Sequence, residues 1–304
     1  MILYYNGVDI TQRVGITAAV GHDMSGSCAD HAELEFENTD LWLSWNPKTD
    51  DVIEIVNGDY SSGEMYIAAM YPQEDKFKIM ATAIPSGARR KTWMSYRNMT
   101  LDNIALSCAK ESGMEHKLFG VGNYLYPYLL RENEGCAAFL ERIARMEGAV
   151  LKCWNGRYTM IGIEAAQKLN ADQTIQTDSG MRGIEYVKND NARVRKLTVI
   201  TPYARYTAED LGADGDIEII RTDVPAINDA QAARWARGLL LAHNRKAETL
   251  TVRGVFNERQ TAMVRTDVLG DNDIGGAWIV DEVEHDYIGN SSMATLVRCI
   301  DTVI

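Results

Sequence analysis

The amino-acid sequence predicts a mainly β protein interrupted by a small α/β segment, and three observations carry that expectation. Residues 2–85 and most of 183–303 read as closely spaced strand-like runs separated by Gly, Asn, Asp and Pro, the pattern of antiparallel sandwiches or barrels. Between them the apolar spacing changes from period two to the i, i+3, i+4, i+7 spacing of a helix face. A second helical stretch then leads directly into two strand-like runs joined by Asn155-Gly156. That pair calls for a type I′ turn, because both central residues need positive φ.

In chain order, strands are expected at 2–8, 14–20 and 32–37, the last alternating apolar and acidic residues as Ala32-Glu33-Leu34-Glu35-Phe36-Glu37. Asp51-Val52-Ile53-Glu54-Ile55-Val56 precedes a turn rich in Asn57, Gly58, Asp59, Ser61, Ser62 and Gly63. Strands at 64–71 and 76–84 flank Pro72-Gln73-Glu74-Asp75. Thr100 is a helix N-cap, since its hydroxyl can accept from a first-turn amide. Leu101, Ile104, Ala105 and Cys108 then form an apolar stripe, and Gly113 is a stop. A second helix is expected at 133–146, with Cys136, Phe139, Leu140, Ile143 and Ala144 on one face and Gly148 at its end. Residues 117–130 read as a loop plus a short strand, and 165–179 as a polar linker. Strands follow at 183–187, 195–201 and 217–221. Asn228 caps a helix that buries Ala232, Trp235, Ala236, Leu239 and Leu240, and strands return at 248–255, 262–269, 276–285 and 293–303. The resulting division is a first β domain at 1–87, an α/β insertion at 88–165 and a second β domain with one helix at 166–304.

At 304 residues, with 46% hydrophobic and 24% charged residues, the chain can build sizeable cores and exceeds one ordinary core. No window approaches the roughly 18 apolar residues needed to cross a bilayer, and the amino terminus has no basic stretch followed by an apolar one. Neither a membrane span nor a signal peptide is therefore expected. The five cysteines, Cys28, Cys108, Cys136, Cys153 and Cys299, include no CxxC pair and point to reduced thiols in a cytoplasm. A formal charge of -12 repels nucleic acid. The basic stripes Arg89-Arg90-Lys91 and Arg193-Val194-Arg195-Lys196 are short, and the second alternates as a solvated strand face does. No specific nucleic-acid binding is expected.

Catalytic signatures are absent: no GxSxG elbow, no HExxH helix, no GxxxxGKS or GxxxxGKT loop, and no GxGxxG after a strand. In Asp281-Glu282-Val283-Glu284-His285-Asp286 a histidine stands between carboxylates. Adjacent side chains on a strand face opposite ways, so Glu284 and Asp286 cannot flank His285 on one face, and a structural or surface role is expected. Asp214-Gly215-Asp216 and Gly270-Asp271-Asn272-Asp273 resemble fragments of calcium loops without the full spacing or the closing glutamate, and tight turns use the same residues. A carboxylate pair for glycoside cleavage is defined by a separation that sequence does not reveal. Cys108 and Cys136 sit on apolar helix stripes as small hydrophobes. Trp42 and Trp45 suit either an interface anchor or core filling under a loop. No residue is assigned a catalytic, cofactor-binding or metal-ligating role, and no cofactor is expected.

One resemblance runs through nearly the whole chain. It rests on Gly7-Val8-Asp9-Ile10-Thr11, on residues 32–38 followed by Trp45 and Pro47, and on Asp50-Asp51-Val52-Ile53-Glu54-Ile55. It continues through Asn98-Met99-Thr100-Leu101-Asp102-Asn103-Ile104-Ala105, Arg131-Glu132-Asn133-Glu134 and Phe139-Leu140-Glu141-Arg142-Ile143-Ala144, with Gly148 and the Asn155-Gly156 hairpin. It closes on Ala230-Gln231-Ala232-Ala233-Arg234-Trp235-Ala236 and Trp278-Ile279-Val280-Asp281-Glu282-Val283-Glu284-His285. In this order the segments resemble the late control protein D family, the baseplate hubs of contractile phage tails.

The resemblance implies two tail-tube-like antiparallel β-barrels plus the small α/β domain. It also implies a homotrimer whose pseudo-hexameric ring matches a threefold spike to a sixfold tube. The implied partners are the tail tube protein, the central spike protein and other baseplate or tape-measure proteins, in a virion tail assembled in the host cytoplasm. It implies a structural protein and not an enzyme, with any spike or hydrolase on a separate polypeptide. Another tail component, such as a distal tail or tube protein, is the alternative, and a cell-wall glycoside hydrolase comes third. The same architecture serves secretion-system spikes and genome-free tail particles. If the acidic excess lines the ring, a passing DNA genome meets like charge and slides, an effect that salt weakens.

Overall fold

The computed structural model describes residues 1–26, 29–177, 183–270 and 273–304. Period-two patterning becomes half-buried strands: in His31–Phe36, Ala32, Leu34 and Phe36 are buried while His31, Glu33 and Glu35 face outward. Among the described residues the main sheet has 14 strands. Its path runs Ile184–Lys188, Glu248–Val255, Ser291–Arg298, Gly276–Asp286, Ile16–Met24, His31–Phe36, Phe77–Thr82, Met65–Pro72, Val52–Asn57, Ile2–Tyr5 and Val8–Asp9. Every pairing along that path is antiparallel. Gln173–Gln176 joins it in parallel through Arg265–Leu269.

The expected pair of closed β-barrels is not what forms. Among the described residues no sheet closes on itself, and strands from both ends of the chain share one sheet. Glu282 pairs with Met24 and Asp286 with Val20 across that seam. Alternation tells which side chains share a face of a strand. It leaves open which edge that strand joins, and here the early strand Ile16–Met24 finds its second neighbour more than 250 residues away, at Gly276–Asp286.

The helices are α1 (Thr39–Trp45), α2 (Leu101–Ser112), α3 (Cys136–Met146), α4 (Ile163–Gln167) and α5 (Asp229–Asn244). Thr100 caps α2 by accepting from the Asn103 amide at 3.4 Å, and Gly113 ends it at φ 68. Asn228 caps α5 the same way, accepting from the Gln231 amide at 2.9 Å. Asn228→Ala is expected to cost about 1 kcal/mol in urea unfolding, with the native spectrum retained.

α3 begins later than the sequence suggests because the strand Leu125–Glu134 continues through Asn133, which accommodates φ 52. After α3, Ala149–Trp154 and Arg157–Gly162 form the expected hairpin, with Asn155 at φ 47 and Gly156 at φ 66. Two other expectations are corrected. Residues 117–130 hold most of Glu115–Phe119, which pairs in parallel with Arg157–Gly162, and the first part of Leu125–Glu134, which pairs with Thr92–Thr100 as a two-stranded ribbon. The polar stretch 165–179 holds the end of α4 and the strand Gln173–Gln176, while residues 178 and 179 lie outside the described residues. A last sheet, ordered Arg205–Glu209, Lys196–Ile200 and Glu218–Arg221, packs on α5.

Two large cores result. Leu34, Phe36, Ile53, Ile67, Phe77 and Ile79 surround Trp42 of α1, while Phe139, Leu140, Ile143, Trp235 and Leu240 lie among α2, α3 and α5. α5 approaches the backbone after α3 so closely that a Cβ on Gly238 would overlap the Met146 carbonyl and the Gly148 amide.

Candidate functional site

The seam between Ile16–Met24 and Gly276–Asp286 has two chemically distinct faces. On the buried side stand Ala19, Asp23, Val283 and His285. His22, Met24, Glu282, Glu284 and Asp286 are half-buried on the other. His285 is thus separated from the carboxylates beside it in sequence. Its Nδ1 lies 2.8 Å from Ser292 Oγ and its Nε2 3.2 Å from the Gln260 carbonyl, within a ring of Tyr60, Phe256 and Tyr287. Burial holds its pKa below the ordinary histidine range, so the imidazole is a neutral packing element near pH 7.

Two buried charge clusters tie the rest of the chain to this seam. Lys152, on the hairpin strand Ala149–Trp154, donates to Asp23 Oδ1 at 2.5 Å and to Asp30 Oδ2 at 3.0 Å. Asp23 also accepts from the Ala262 amide at 3.1 Å, and Asp30 from the Met24 amide at 2.9 Å. The second cluster centres on Asp281, at the register shift between Val280 and Glu282. It accepts from Arg245 Nη2 at 2.7 Å and from Ser25 Oγ, and Lys246 Nζ lies 2.8 Å away. Burial opposes ionisation of Asp281, yet Arg245 and Lys246 hold its pKa below the usual carboxylate range. Both clusters span segments far apart in sequence, and no local pattern announces either.

The first cluster places two carboxylates on one ammonium. Asp30 is pushed up to about 7, chiefly by burial, with Lys152 pulling its pKa down and Asp23 adding repulsion. A folded value above the roughly 3.9 of a free aspartate means that this group's contribution to stability is complete below about pH 4 and is lost as pH rises through about 7. Asp30→Asn is therefore expected to gain on the wild type progressively from pH 5 to pH 8 in guanidinium denaturation. A difference that stays flat across that range would contradict this account.

The remaining sequence candidates are dispersed. Cys108 of α2, Cys136 of α3 and Cys153 are buried; the hydrogen-bonded Cys136 and then burial push the Cys108 thiol up, and Arg131 Nη1 donates to Cys136 Sγ at 3.1 Å. Cys28, Asp271 and Asn272 lie outside the described residues. Asp214 and Asp216 are exposed on a turn, and among the described residues no three His, Cys, Asp or Glu side chains converge as a metal requires. Arg193 pairs with Asp210 at 2.8 Å and Lys196 with Glu209 at 3.4 Å, so the second basic stripe is largely neutralised from within. Arg89, Arg90 and Lys91 remain exposed.

A cleft of about 490 Å³ runs along α5, where Gly120, Gly122 and Gly162 line it beside Arg234 and Tyr124. Its carboxylates are Glu147 and Glu164. Glu147 accepts from Arg234 Nε, Trp235 Nε1 and Tyr126 Oη at 2.5–2.6 Å, which commits both its oxygens, while Glu164 is a largely exposed partner of Lys168. Glycoside cleavage uses one carboxyl free to give a proton and another free to attack or activate water; in this cleft Glu147 is committed to its three donors and Glu164 is the carboxylate outside such hydrogen bonds.

The outward face of the seam is the more distinctive surface. His22 and His31 stack with centroids 4.4 Å apart, Glu282 lies 3.9 Å from His22, and Lys78 pairs with Glu33 at 2.5 Å. Burial, then His31, keeps His22 below the ordinary histidine range despite Glu284, Glu282 and Glu33. Around neutral pH this face therefore carries its carboxylates beside a His22 ring that burial holds toward the neutral form. Among the described residues no helix is long and apolar enough to cross a membrane.

The chain matches no protein-family model and no curated protein. Its fold is similar to that of a 43 kDa tail protein of prophage MuSo2 from Shewanella oneidensis, with a TM-score of 0.76 and 13% identity over 100% of this chain and 99% of that one. A tail protein from Neisseria meningitidis MC58 is similar at TM-score 0.75 and 12% identity, covering 98% and 95% of the two chains. An Escherichia coli protein described as a component of the type VI secretion system, with structural similarity to T4 bacteriophage tail proteins, gives 0.67 and 10% identity over 99% and 78%. The chain has a tail-protein fold.

Proposed function

We propose that the chain is the structural hub of a contractile tail baseplate, a homotrimer whose ring joins the central spike to the tail tube. The observation that carries this reading is correspondence with a prophage tail protein along the full length of both chains, at an identity so low that only the architecture is held in common. The continuous sheet supports it. Strands from both ends of the chain are locked into one surface by the clusters at Lys152 and Asp281, as a part that bears load between two stacked objects requires.

In this reading the half-exposed face bearing Glu33, Glu282 and Glu284 lines the channel, where like charge lets a polyanion pass without sticking. The function is non-enzymatic; the cleft along α5 is packing space.

Electron microscopy of the chain mixed with its tube and spike proteins tests the proposal. Threefold rings with a central opening, bound to tube on one side and spike on the other, are expected. A chain that binds neither partner, or that releases soluble fragments from peptidoglycan, would overturn it.

A further inference from the structure

The ribbon of Thr92–Thr100 and Leu125–Glu134 buries Tyr96, Leu129 and Arg131 against α2 and α3. Its other face carries Trp93, 64% exposed, and Tyr128, 44% exposed, and neither ribbon strand has a second strand partner among the described residues. Residues 86–100 contain Arg89, Arg90, Lys91 and Arg97 and no acidic residue, while the partner strand places the exposed Glu132 opposite Trp93. All four are exposed.

A surface of the opposite character lies elsewhere on the helices. Glu218–Arg221 is an edge strand of the sheet that packs on α5, and it exposes Ile220 at 63%. The turn before it exposes Leu211 and Ile217 together with Asp214 and Asp216. Of the acidic residues in 209–218, Asp210 is buried against Arg193 and Glu209 and Glu218 face Lys196, which leaves Asp214 and Asp216 as the exposed carboxylates outside these pairs. Within one copy the ribbon covers α2 and α3 while this sheet covers α5, so the helices hold the two surfaces apart.

We infer that the Trp93 face of one copy docks on the Ile220 edge of a second copy, with aromatic rings on isoleucine at the centre and Lys91 and Arg97 against Asp214 and Asp216 at the rim. The inference rests on the hub reading, which supplies neighbouring copies. Large exposed aromatics are the side chains that anchor interfaces, and complementary rim charge selects partner and orientation. Two different surfaces make the contact heterologous, so its repetition generates a ring when the rotation closes.

Disulfide trapping tests it. Trp93→Cys and Ile220→Cys chains are mixed under mild oxidation at the highest soluble concentration, with and without tube protein. Val255→Cys mixed with Ile220→Cys is the control, because Val255 is 73% exposed on another strand. The 93–220 dimer is expected to form at least about tenfold faster than the control. Lys91→Glu with Arg97→Glu in the first chain should lower its rate about tenfold, and Asp214→Lys with Asp216→Lys in the second should restore it. A rate no higher than the control, or one indifferent to these charge changes, overturns the contact. Threefold rings that form without this cross-link would overturn it while leaving the hub reading in place. Chains that neither form rings nor bind tube protein would remove both.

Discussion

Lys152→Ala is expected to destabilise the protein by about 3–5 kcal/mol at pH 8, the cost of leaving buried charges without their counter-ion. The side chains of Lys152, Asp23 and Asp30 are 14%, 6% and 3% exposed, so little water is available to take over from the ammonium. Without Lys152, Asp23 and Asp30 face each other as like charges in a poorly solvated site. The protein's recourse is to keep a proton on one of them, so the loss should be smaller at pH 5 than at pH 8. Adding Asp30→Asn to the lysine variant should recover much of the lost stability, a non-additivity expected of groups in direct contact. Guanidinium denaturation at the two pH values measures all of this, and a loss below about 1 kcal/mol at pH 8 would show that the triad is not the lock described here. Lys152 ties its hairpin directly to the seam, so the hairpin amides should also exchange faster in the variant.

Trp42→Ala is expected to cost a similar 3–5 kcal/mol, for a different reason. The Trp42 ring is fully buried, lies parallel to Phe77 at 5.5 Å, and packs against Phe36, Tyr5 and Trp45 at 4.7–5.6 Å. Alanine leaves a cavity between α1 and the first half of the sheet that rigid strands cannot close. Trp42→Phe should cost less than about 1.5 kcal/mol, because the buried indole Nε1 has no hydrogen-bond partner among the described residues and phenylalanine removes that unsatisfied donor. Equal losses in both variants would mean that the nitrogen contributes more than its surroundings indicate. Of the two roles open to this tryptophan from sequence, core filling is the one the fold uses.

Local chemistry accounts for what was legible in advance. Thr100, Asn228 and Gly113 mark helix ends because capping depends on side chains within three or four residues of the terminus. Asn155-Gly156 marks its hairpin because positive φ is a property of those two residues. The strand Leu125–Glu134 is hard to see in the sequence, since Tyr124, Pro127 and Tyr128 break any simple alternation and its partner, Thr92–Thr100, lies across α2. α1 was unforeseen because seven residues are too few to display helical periodicity.

The charged seam was the least legible feature. Asp23, Asp30 and Lys152 share no local pattern along the chain, and only folding brings their nearly buried side chains together. His285 shows the converse: sequence sets it among carboxylates, and strand geometry turns it away from them into an aromatic pocket.

By itself, the sequence determined that this protein is mainly β and where most of its strands and helices lie, because these follow from interactions over a few residues. Tertiary structure alone decided that Ile16–Met24 pairs with Gly276–Asp286, that no sheet closes among the described residues, and that Lys152 binds two distant aspartates. The choice of a strand's edge and the burial of a charge depend on which surfaces meet in space. No alternation of residues along the chain encodes that meeting.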